Sequence, residues 1–224
     1  MSSRLDRIHR IPERARHELA DRYSVLDAGH RVGTLSTVLD GEPWAVPLVY
    51  ARVEDRVLLH GSTGAGALRH VAQGQPAAFS VVHMDGLIYA HTMFNQSAMF
   101  LSAVVRGHLR PVPQEELSDA LTAFTEDITP GRSSEVPTHT KKHLAGTQLL
   151  ALDLSEARWT VKVRDAVPTA PEPGEPCAPD LWRGTIPIHS VYGTPIPAPG
   201  VAPGTPLSPS IQRLVDRVAH AAST

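Results

Sequence analysis

The chain has 224 residues, of which 42% are hydrophobic and 20% charged, and its formal net charge at pH 7 is −2. This length predicts one domain with a tail, and the hydrophobic content is sufficient for a core. The near-neutral charge argues against a nucleic-acid-binding protein, in which a strongly basic face is expected. The single cysteine, Cys177, excludes an intramolecular disulfide framework and a cysteine-rich metal site.

Neither a membrane span nor a secretory signal is predicted. No segment has the roughly 18 consecutive apolar residues that a spanning helix needs. The first 22 residues are charged throughout and lack an apolar stretch. We therefore expect a cytoplasmic protein without a membrane or nucleic-acid partner.

Three regions follow one another along the chain. Residues 1–29 are predicted to be helical, with Pro12 opening a helix that runs to Arg22 and Gly29 ending a second one. Residues 30–165 carry the strand patterns. Residues 166–224 form a proline-rich arm, which is followed by a terminal helix.

The strand region contains several turn signals. Asp40-Gly41 lies between two alternating segments, which is typical of a tight hairpin, and residues 54–55 and 85–86 are predicted to be further turns. A short helix is predicted near residues 67–73. An amphipathic helix follows Pro113, and its apolar positions are Leu117, Ala120, Leu121 and Phe124. Most strands thus come first and a helix precedes the last, which predicts an antiparallel barrel with flanking helices, mainly β within the α+β class.

The arm has its own composition. Twelve of the 20 prolines lie between Pro168 and Pro209, so this segment cannot supply the backbone donors of a helix or a central strand. Ser208 and Pro209 then predict the start of a helix with one apolar face. Its apolar positions are Ile211, Leu214, Val215 and Val218.

The segment "LLHGSTGAGALRHV", residues 58–71, resembles a phosphate-binding loop. A nucleotide triphosphatase is unsupported, because Ala67 and Leu68 stand where that motif needs Lys and then Ser or Thr. The hydroxyl groups of Ser62 and Thr63, free backbone N–H groups and a helix start can still hold one phosphate, with Arg69 adding charge. The alternative is a strand-to-helix turn that simply needs glycine.

Other catalytic patterns are weak. His139 and His143 have helical i, i+4 spacing, but Thr140 replaces the glutamate of a zinc protease, so we interpret them as exposed side chains of a charged helix. No G-x-S-x-G occurs, and Cys177 has no neighbouring base. A chain that can hold a phosphate yet lacks an evident acid, base or nucleophile suggests a cofactor-bearing protein.

Several segments, in this order, resemble the pyridoxamine 5'-phosphate oxidase-like FMN-binding split-barrel family, nearest its Nim (nitroimidazole-resistance) and flavin-nucleotide-binding branch. The resemblance covers roughly residues 14–188. The segments are "ADRYSVLDAGHRVGTLSTVLDGEPWAVPLVY", "LLHGSTGAGALRHVAQGQP", "HMDGLIYAHTMFNQSAMFLSAVVRGHLRPV", "ALTAFTEDITPGR", "GTQLLALDLSEARWTVKVRDA" and "WRGTIPI".

This resemblance implies a six-stranded antiparallel split β-barrel that forms a homodimer, with FMN held at the subunit interface. It implies an oxidoreductase acting on a small-molecule substrate, with His60 as the catalytic residue. The predicted cofactor-binding residues are His60, Gly61, Ser62, Leu68, Arg69, Val81, Val82, Ser97, Phe100, Ser102, Lys162 and Trp182. No metal ligand is predicted.

The chain departs from the family pattern in its cationic residues. Residues 99–103 read Met-Phe-Leu-Ser-Ala where relatives have Asn-Tyr-Arg-Ser-Val, and Ala65 and Ala67 stand where relatives often carry polar or cationic residues. The strand thereby loses a guanidinium group that can bind a phosphate. Three alternatives therefore stay open: weakly bound FMN with turnover, a non-catalytic flavin-binding protein, and an enzyme that uses haem or a deazaflavin, for which strand histidines such as His83, His91 and His108 are candidates.

Overall fold

The computed structural model describes residues 5, 7, 8 and 12–221, with side chains in the last helix as far as residue 216. The strands are β1 (Ala15–Arg16), β2 (Val32–Leu39), β3 (Glu42–Val53), β4 (Arg56–Ser62), β5 (Pro76–Tyr89), β6 (Ser97–Pro111), β7 (Thr147–Asp153), β8 (Arg158–Arg164) and β9 (Gly184–Pro187). The helices are α1 (Leu19–Asp27), α2 (Gly66–Ala72), α3 (Leu117–Ile128), α4 (Lys141–Gly146) and α5 (Pro209–Ala221). Short 3₁₀ turns cover Pro12–Arg14 and Met93–Asn95.

Six strands pair in a closed antiparallel ring. Its order is β6, β7, β4, β3, β2 and β5, and β5 pairs again with β6. Strands β8 and β1 extend the sheet outward from β6, and β9 is added to the free edge of β5. The predicted fold class, a mainly β protein built on a six-stranded antiparallel split barrel with flanking helices, is confirmed.

The tight hairpin at Asp40-Gly41 is confirmed. Both residues have positive φ angles, 52° and 85°, and Leu39 pairs with Glu42 on either side of them. Two consecutive left-handed residues are the geometry of the turn that matches the twist of antiparallel strands. The predicted turn at residues 54–55 also joins two strands, and Glu54 has a φ of 53°.

The prediction of a turn at Asp85-Gly86 is wrong. Strand β5 runs straight through these residues and stays paired with β6, with a register shift between Met84 and Gly86. A Cβ atom on Gly86 would lie 2.8 Å from the backbone oxygen of Ile186 in β9. The glycine therefore permits a bulge and the close approach of β9, and the chain reverses later, at Met93–Asn95.

The predicted helix from Pro12 to Arg22 is also wrong. A 3₁₀ turn is followed by β1, whose Ala15 and Arg16 pair with Lys162 and Val161 of β8, and a single helix starts only at Leu19. The exposed edge of β8 offers backbone partners to this segment, so tertiary pairing prevails over the helical signal of a proline and a charged run.

Two helices lie close to their predicted positions. The four apolar positions predicted for α3 are all buried, and α5 opens at Pro209, with the Gln212 N–H donating to the Ser208 carbonyl at 2.9 Å. Val218 lies outside the described side chains. The i, i+4 helical interpretation of the two histidines is wrong: α4 starts at Lys141, so His139 lies before it.

The barrel core is packed around aromatic rings. The Tyr50 and Phe79 rings are both fully buried, lie 5.1 Å apart and meet edge to face. Gly33 of β2 faces the Phe79 ring, and a Cβ atom there would lie 2.2 Å from the ring carbon Cζ. The absence of a side chain at residue 33 is what lets the phenylalanine fill the barrel. Among the described helices, none is long and apolar enough to cross a membrane.

We expect Gly33→Ala to lower the free energy of unfolding by about 1–3 kcal/mol, because the added methyl group forces the Phe79 ring out of its position. Chemical denaturation of the purified variants measures this. Gly193→Ala is the control, because nothing lies within 4 Å of a Cβ atom at that residue. Combining Gly33→Ala with Phe79→Leu should cost less than the sum of the two single changes; simple additivity would contradict the proposed clash.

Candidate cofactor site

A cleft of about 440 Å³ lies between α3 and the outer face of the β3–β4 pair. Its walls are mostly apolar, and two imidazole rings face into it. The lining residues are Val49, His60, Leu121, Phe124, Thr125, Ile128, Thr129, His139 and Thr147.

The alternation of β4 places His60 in this cleft. Leu59 points into the barrel core, whereas Leu58 packs outside it, beneath α3. His60 has the parity of Leu58 and so projects on the same outer side. Its ring lies 4.6 Å from the Phe124 ring of α3, edge to face.

A polar network fixes α3 over the barrel. The Arg31 side chain donates to Asp127 at 2.9 Å, and the backbone N–H of Arg52 donates to the same carboxylate at 3.2 Å. Arg52 also donates twice to Asp27 of α1, at 2.6 Å each. Burial raises the pKa of Asp127, while the Arg31 charge opposes that rise. These bonds hold the outer wall of the cleft at a defined position.

The His60 imidazole is electrostatically simple. His60 is an exposed residue, but partial burial of its ring against α3 lowers its pKa below the usual value of 6.5, so the ring is neutral at pH 7. Among the described residues none forms a hydrogen bond with either ring nitrogen. The ring therefore offers the cleft one donor and one acceptor nitrogen in its neutral form.

A second cavity, of about 340 Å³, shares the lining residue Thr147 with the cleft. It is more polar. Arg69 lines this cavity, and no described carboxylate forms an ion pair with it. Gln148 also lines it, and the buried side-chain oxygen Oε1 of this residue has no hydrogen-bond partner in the described part of the chain. The cavity thus presents a cation to an incoming ligand.

The turn between β4 and α2 offers fewer backbone donors than the sequence suggested. The Thr63 N–H donates to the Gly146 carbonyl at 3.2 Å, and the Ala65 N–H donates to the Ser62 carbonyl at 2.9 Å. Gly61 is required for packing, because a Cβ atom there would lie 2.7 Å from Leu68. A phosphate at this turn would therefore be bound by the Arg69 guanidinium, the hydroxyl groups and the N–H groups at the start of α2.

A second group of predicted residues lies on the outer face of β5, β6 and β8. Val82, Ser102 and Lys162 form one row across these strands, and Phe100 belongs to the next row, with the Lys162 amine 5.6 Å from its ring centroid. Ser97 has the opposite parity on β6 and pairs with the buried Ile88, although its hydroxyl accepts a hydrogen bond from Arg164. The structure therefore gathers four of these five residues on one surface.

The two groups of predicted residues do not share a pocket within one chain. Strand β4 is three strands away from β5 in either direction around the ring. The Leu68 and Val81 side chains are only 2% and 3% exposed and pack in the barrel core, so they contribute packing. Trp182 is 62% exposed and lies on the arm, edge to face with Tyr89.

The strand histidines are already engaged elsewhere. The rings of His83 and His108 hydrogen-bond to the backbone oxygens of Val25 and Gly74, and His91 lies 2.8 Å from Glu175. Within the described residues, no group of three or more His, Cys, Asp or Glu side chains is arranged to hold a metal ion.

Four residues that line the two cavities were not predicted to be site residues from the sequence. Phe124 was interpreted only as a core position of α3, and His139 only as an exposed helical side chain. Thr147 and Gln148 carry no local signal, because their role depends on where β7 lies beside β4. The spacing of Leu121, Phe124 and Ile128 on α3 was the one available indication that an apolar face points towards β4.

The closed split barrel with a cleft outside β4 defines a class of cofactor-binding proteins, and the comparisons with known proteins give the family. A family model described as pyridoxamine 5'-phosphate oxidase matches residues 18–160. The chain therefore belongs to the pyridoxamine 5'-phosphate oxidase family, and the predicted resemblance is confirmed. No curated protein matches the chain.

Three solved structures illustrate the likeness. The FAD and haem binding protein from Mycobacterium smegmatis is 34% identical, with a TM-score of 0.83 over 90% of this chain and 97% of that one. The flavocytochrome Anf3 from Azotobacter vinelandii is 25% identical, with a TM-score of 0.84 over 95% and 97%. A putative 5-nitroimidazole antibiotic resistance protein from Bacteroides thetaiotaomicron, 15% identical with a TM-score of 0.55 over 66% and 86%, shares the fold.

The lowered pKa of His60 predicts how the stability of the protein depends on pH. Between pH 6.5 and the lower folded-state pKa, the unfolded chain binds more protons than the folded one, so the free energy of unfolding falls as the pH is lowered. Replacing His60 by Phe removes this dependence. We expect the stability of His60→Phe relative to the wild type to rise between about pH 7 and pH 5, measured by denaturant titration. A stability difference that stays flat over this pH range would contradict the assignment.

Proposed function

We propose that the protein is a flavin-dependent redox protein whose flavin ring lies in the His60 cleft and whose phosphate end lies beside Arg69. The observation that carries this proposal is that the two cavities share Thr147 in their linings. A flavin has a flat, largely apolar ring and a polar, phosphorylated chain, and the two cavities have the same division. Gln148 lines the more polar cavity, and its buried side-chain oxygen has no hydrogen-bond partner among the described residues.

The relatives support FAD as the flavin. The sequence resemblance predicted FMN, but the 34% identical Mycobacterium smegmatis protein binds FAD and haem, and the Azotobacter vinelandii relative is a flavocytochrome. We therefore propose FAD here. FMN stays a prediction that a direct comparison of the two flavins tests.

The side chains of this site would act by positioning and by excluding water. A bound flavin supplies hydride and electron transfer to a small-molecule substrate. Phe124, Leu121 and Ile128 form an apolar wall, which lowers the local polarity around the ring. The neutral His60 imidazole can accept a proton at its unprotonated ring nitrogen, which is the catalytic role proposed for it.

We also propose a homodimer. Val82 and Met84 on β5 are 67% and 49% exposed and lie beside the predicted residues of the β5–β6–β8 face. Around the ring, β5 lies three strands and β6 two strands away from β4, which carries His60. A second copy would bring its Lys162 side chain towards the neighbouring cleft and add a cation to it.

We expect saturable FAD binding, measured by quenching of flavin fluorescence. Arg69→Ala should raise the Kd about tenfold or more, because a charge-assisted hydrogen bond to phosphate is lost. Arg110→Ala is the matched control, since that exposed guanidinium pairs only with Glu156. Absence of saturable binding of FAD and of FMN would overturn the proposal. Binding without reduction by NADH or NADPH would instead indicate a flavin-binding protein without turnover.

A second candidate function is haem binding in the same cleft. It is favoured by the presence of two imidazole rings, from His60 and His139, in one mostly apolar cleft. A neutral imidazole in apolar surroundings is a suitable axial ligand of haem iron. Because both proposals use the same cleft, haem and the flavin ring would compete for it.

We expect a Soret band when haem is added to the apoprotein if this second function holds. His60→Ala should abolish or shift the band, His139→Ala should shift it, and the exposed His189→Ala should leave it unchanged. Prior saturation with FAD should block the band. A band that persists in His60→Ala would place haem elsewhere.

A further inference from the structure

A third cavity, of about 380 Å³, lies where β8 ends, away from the His60 cleft. It is formed by the segment before β1, the reversal after β5, and the first residues of the arm. The lining residues are Glu13, Arg14, Arg16, Ala90, Asn95, Val163, Arg164, Asp165, Ala166, Val167, Pro168 and Thr169.

Three arginine side chains converge on this cavity. All three residues are partly buried, and no described carboxylate forms an ion pair with Arg14, Arg16 or Arg164. Arg16 donates to the backbone oxygens of Glu13 and Ala15, at 3.1 and 3.3 Å, and Arg164 donates to the Ser97 hydroxyl. Backbone carbonyl and hydroxyl oxygens orient these groups but leave their charges uncompensated.

The distribution of charge in this cavity favours the binding of an anion. Burial lowers the pKa of Arg164, and the nearby positive charge of Arg14 lowers it further. The two carboxylates at the cavity, Glu13 and Asp165, belong to exposed residues and bond to none of the guanidinium groups. Like charges held together in partly buried positions destabilise the folded chain unless a ligand neutralises them.

We infer that this cavity binds the diphosphate of a nucleotide. Guanidinium groups bind phosphate oxygens through paired hydrogen bonds, and three of them can bind two adjacent phosphates. The Asn95 side chain supplies an amide to the same cavity. The cavity is distinct from the Arg69 cavity, which has a single arginine and adjoins the flavin cleft.

The shared chemistry is an ADP group, and two sources can supply it. One is the adenosine-diphosphate half of FAD, which FMN lacks; because FAD has a single diphosphate, its phosphates would then lie here and not beside Arg69. The other is the pyridine nucleotide that would deliver electrons to the flavin. Which molecule supplies the ADP group depends on the proposed function. The inference that the cavity binds ADP does not depend on it.

The test is calorimetric titration of the full chain with ADP, followed by FAD, FMN and NADPH. We expect the wild type to bind ADP saturably, and Arg14→Ala and Arg164→Ala each to raise its Kd about tenfold or more. Arg164→Lys retains the charge but not the paired geometry, so it should have an intermediate affinity. Arg110→Ala should bind ADP like the wild type, and thermal melts identify any variant that is unfolded.

The outcomes separate the two sources. If FAD is the source, the arginine variants weaken FAD and leave FMN unchanged. If the electron donor is the source, they weaken NADPH and leave both flavins unchanged. Lack of ADP binding to the wild type, or equal affinity in the folded Arg14, Arg164 and Arg110 variants, would overturn the inference. ADP binding in a chain that binds neither flavin would instead overturn the proposed function alone.

Discussion

The pairing of β5 with β6 is the constraint on which the rest of the structure depends. It closes six strands into a ring, and the first part of β6 also pairs with β8 while its last residues pair with β7. One long strand therefore has three partners. Closure demands an interior that is filled without voids, and Phe79 meets this demand only because Gly33 leaves room for its ring. With the interior filled by side chains, ligands must be held on the outer faces of the strands.

The outer faces differ because different elements cover them. Helix α3 covers β3, β4 and β7, and the Arg31–Asp127 ion pair holds it there, so an apolar cleft with a neutral imidazole lies beneath it. The face formed by β5, β6 and β8 carries Val82 and Lys162 without such a helix. Because side chains alternate along each strand, the inner face of the sheet forms the core. The outer face forms two different surfaces.

Local chemistry determined which elements could be predicted from the sequence. The Asp40-Gly41 hairpin and the buried face of α3 follow from residues within a few positions of each other, so both were predicted correctly. The bulge at Gly86 depends on β9, about 100 residues further along, and β1 depends on the edge of β8. For the same reason Thr147 and Gln148 could not be predicted as site residues, since their surroundings are created by the ring. The resemblance named His60 and Arg69, but it could not show that the Thr63 and Ala65 N–H groups are already used.

The distribution of charge around the His60 cleft is compatible with the proposed redox function. Among the described residues that line the cleft there is no Asp, Glu, Lys or Arg, and the lining is apolar apart from hydroxyl groups and two imidazole rings. The cations lie outside it, with Arg69 in the adjoining cavity and Arg164 on another part of the barrel. A flat ring in surroundings of low polarity responds strongly to a single nearby proton, because little solvent screens that charge. Phosphates bound by partly exposed arginines, by contrast, can anchor a cofactor without bringing their charges to the ring. Phosphate binding and the reactivity of the ring would then depend on different residues, so each could change without the other.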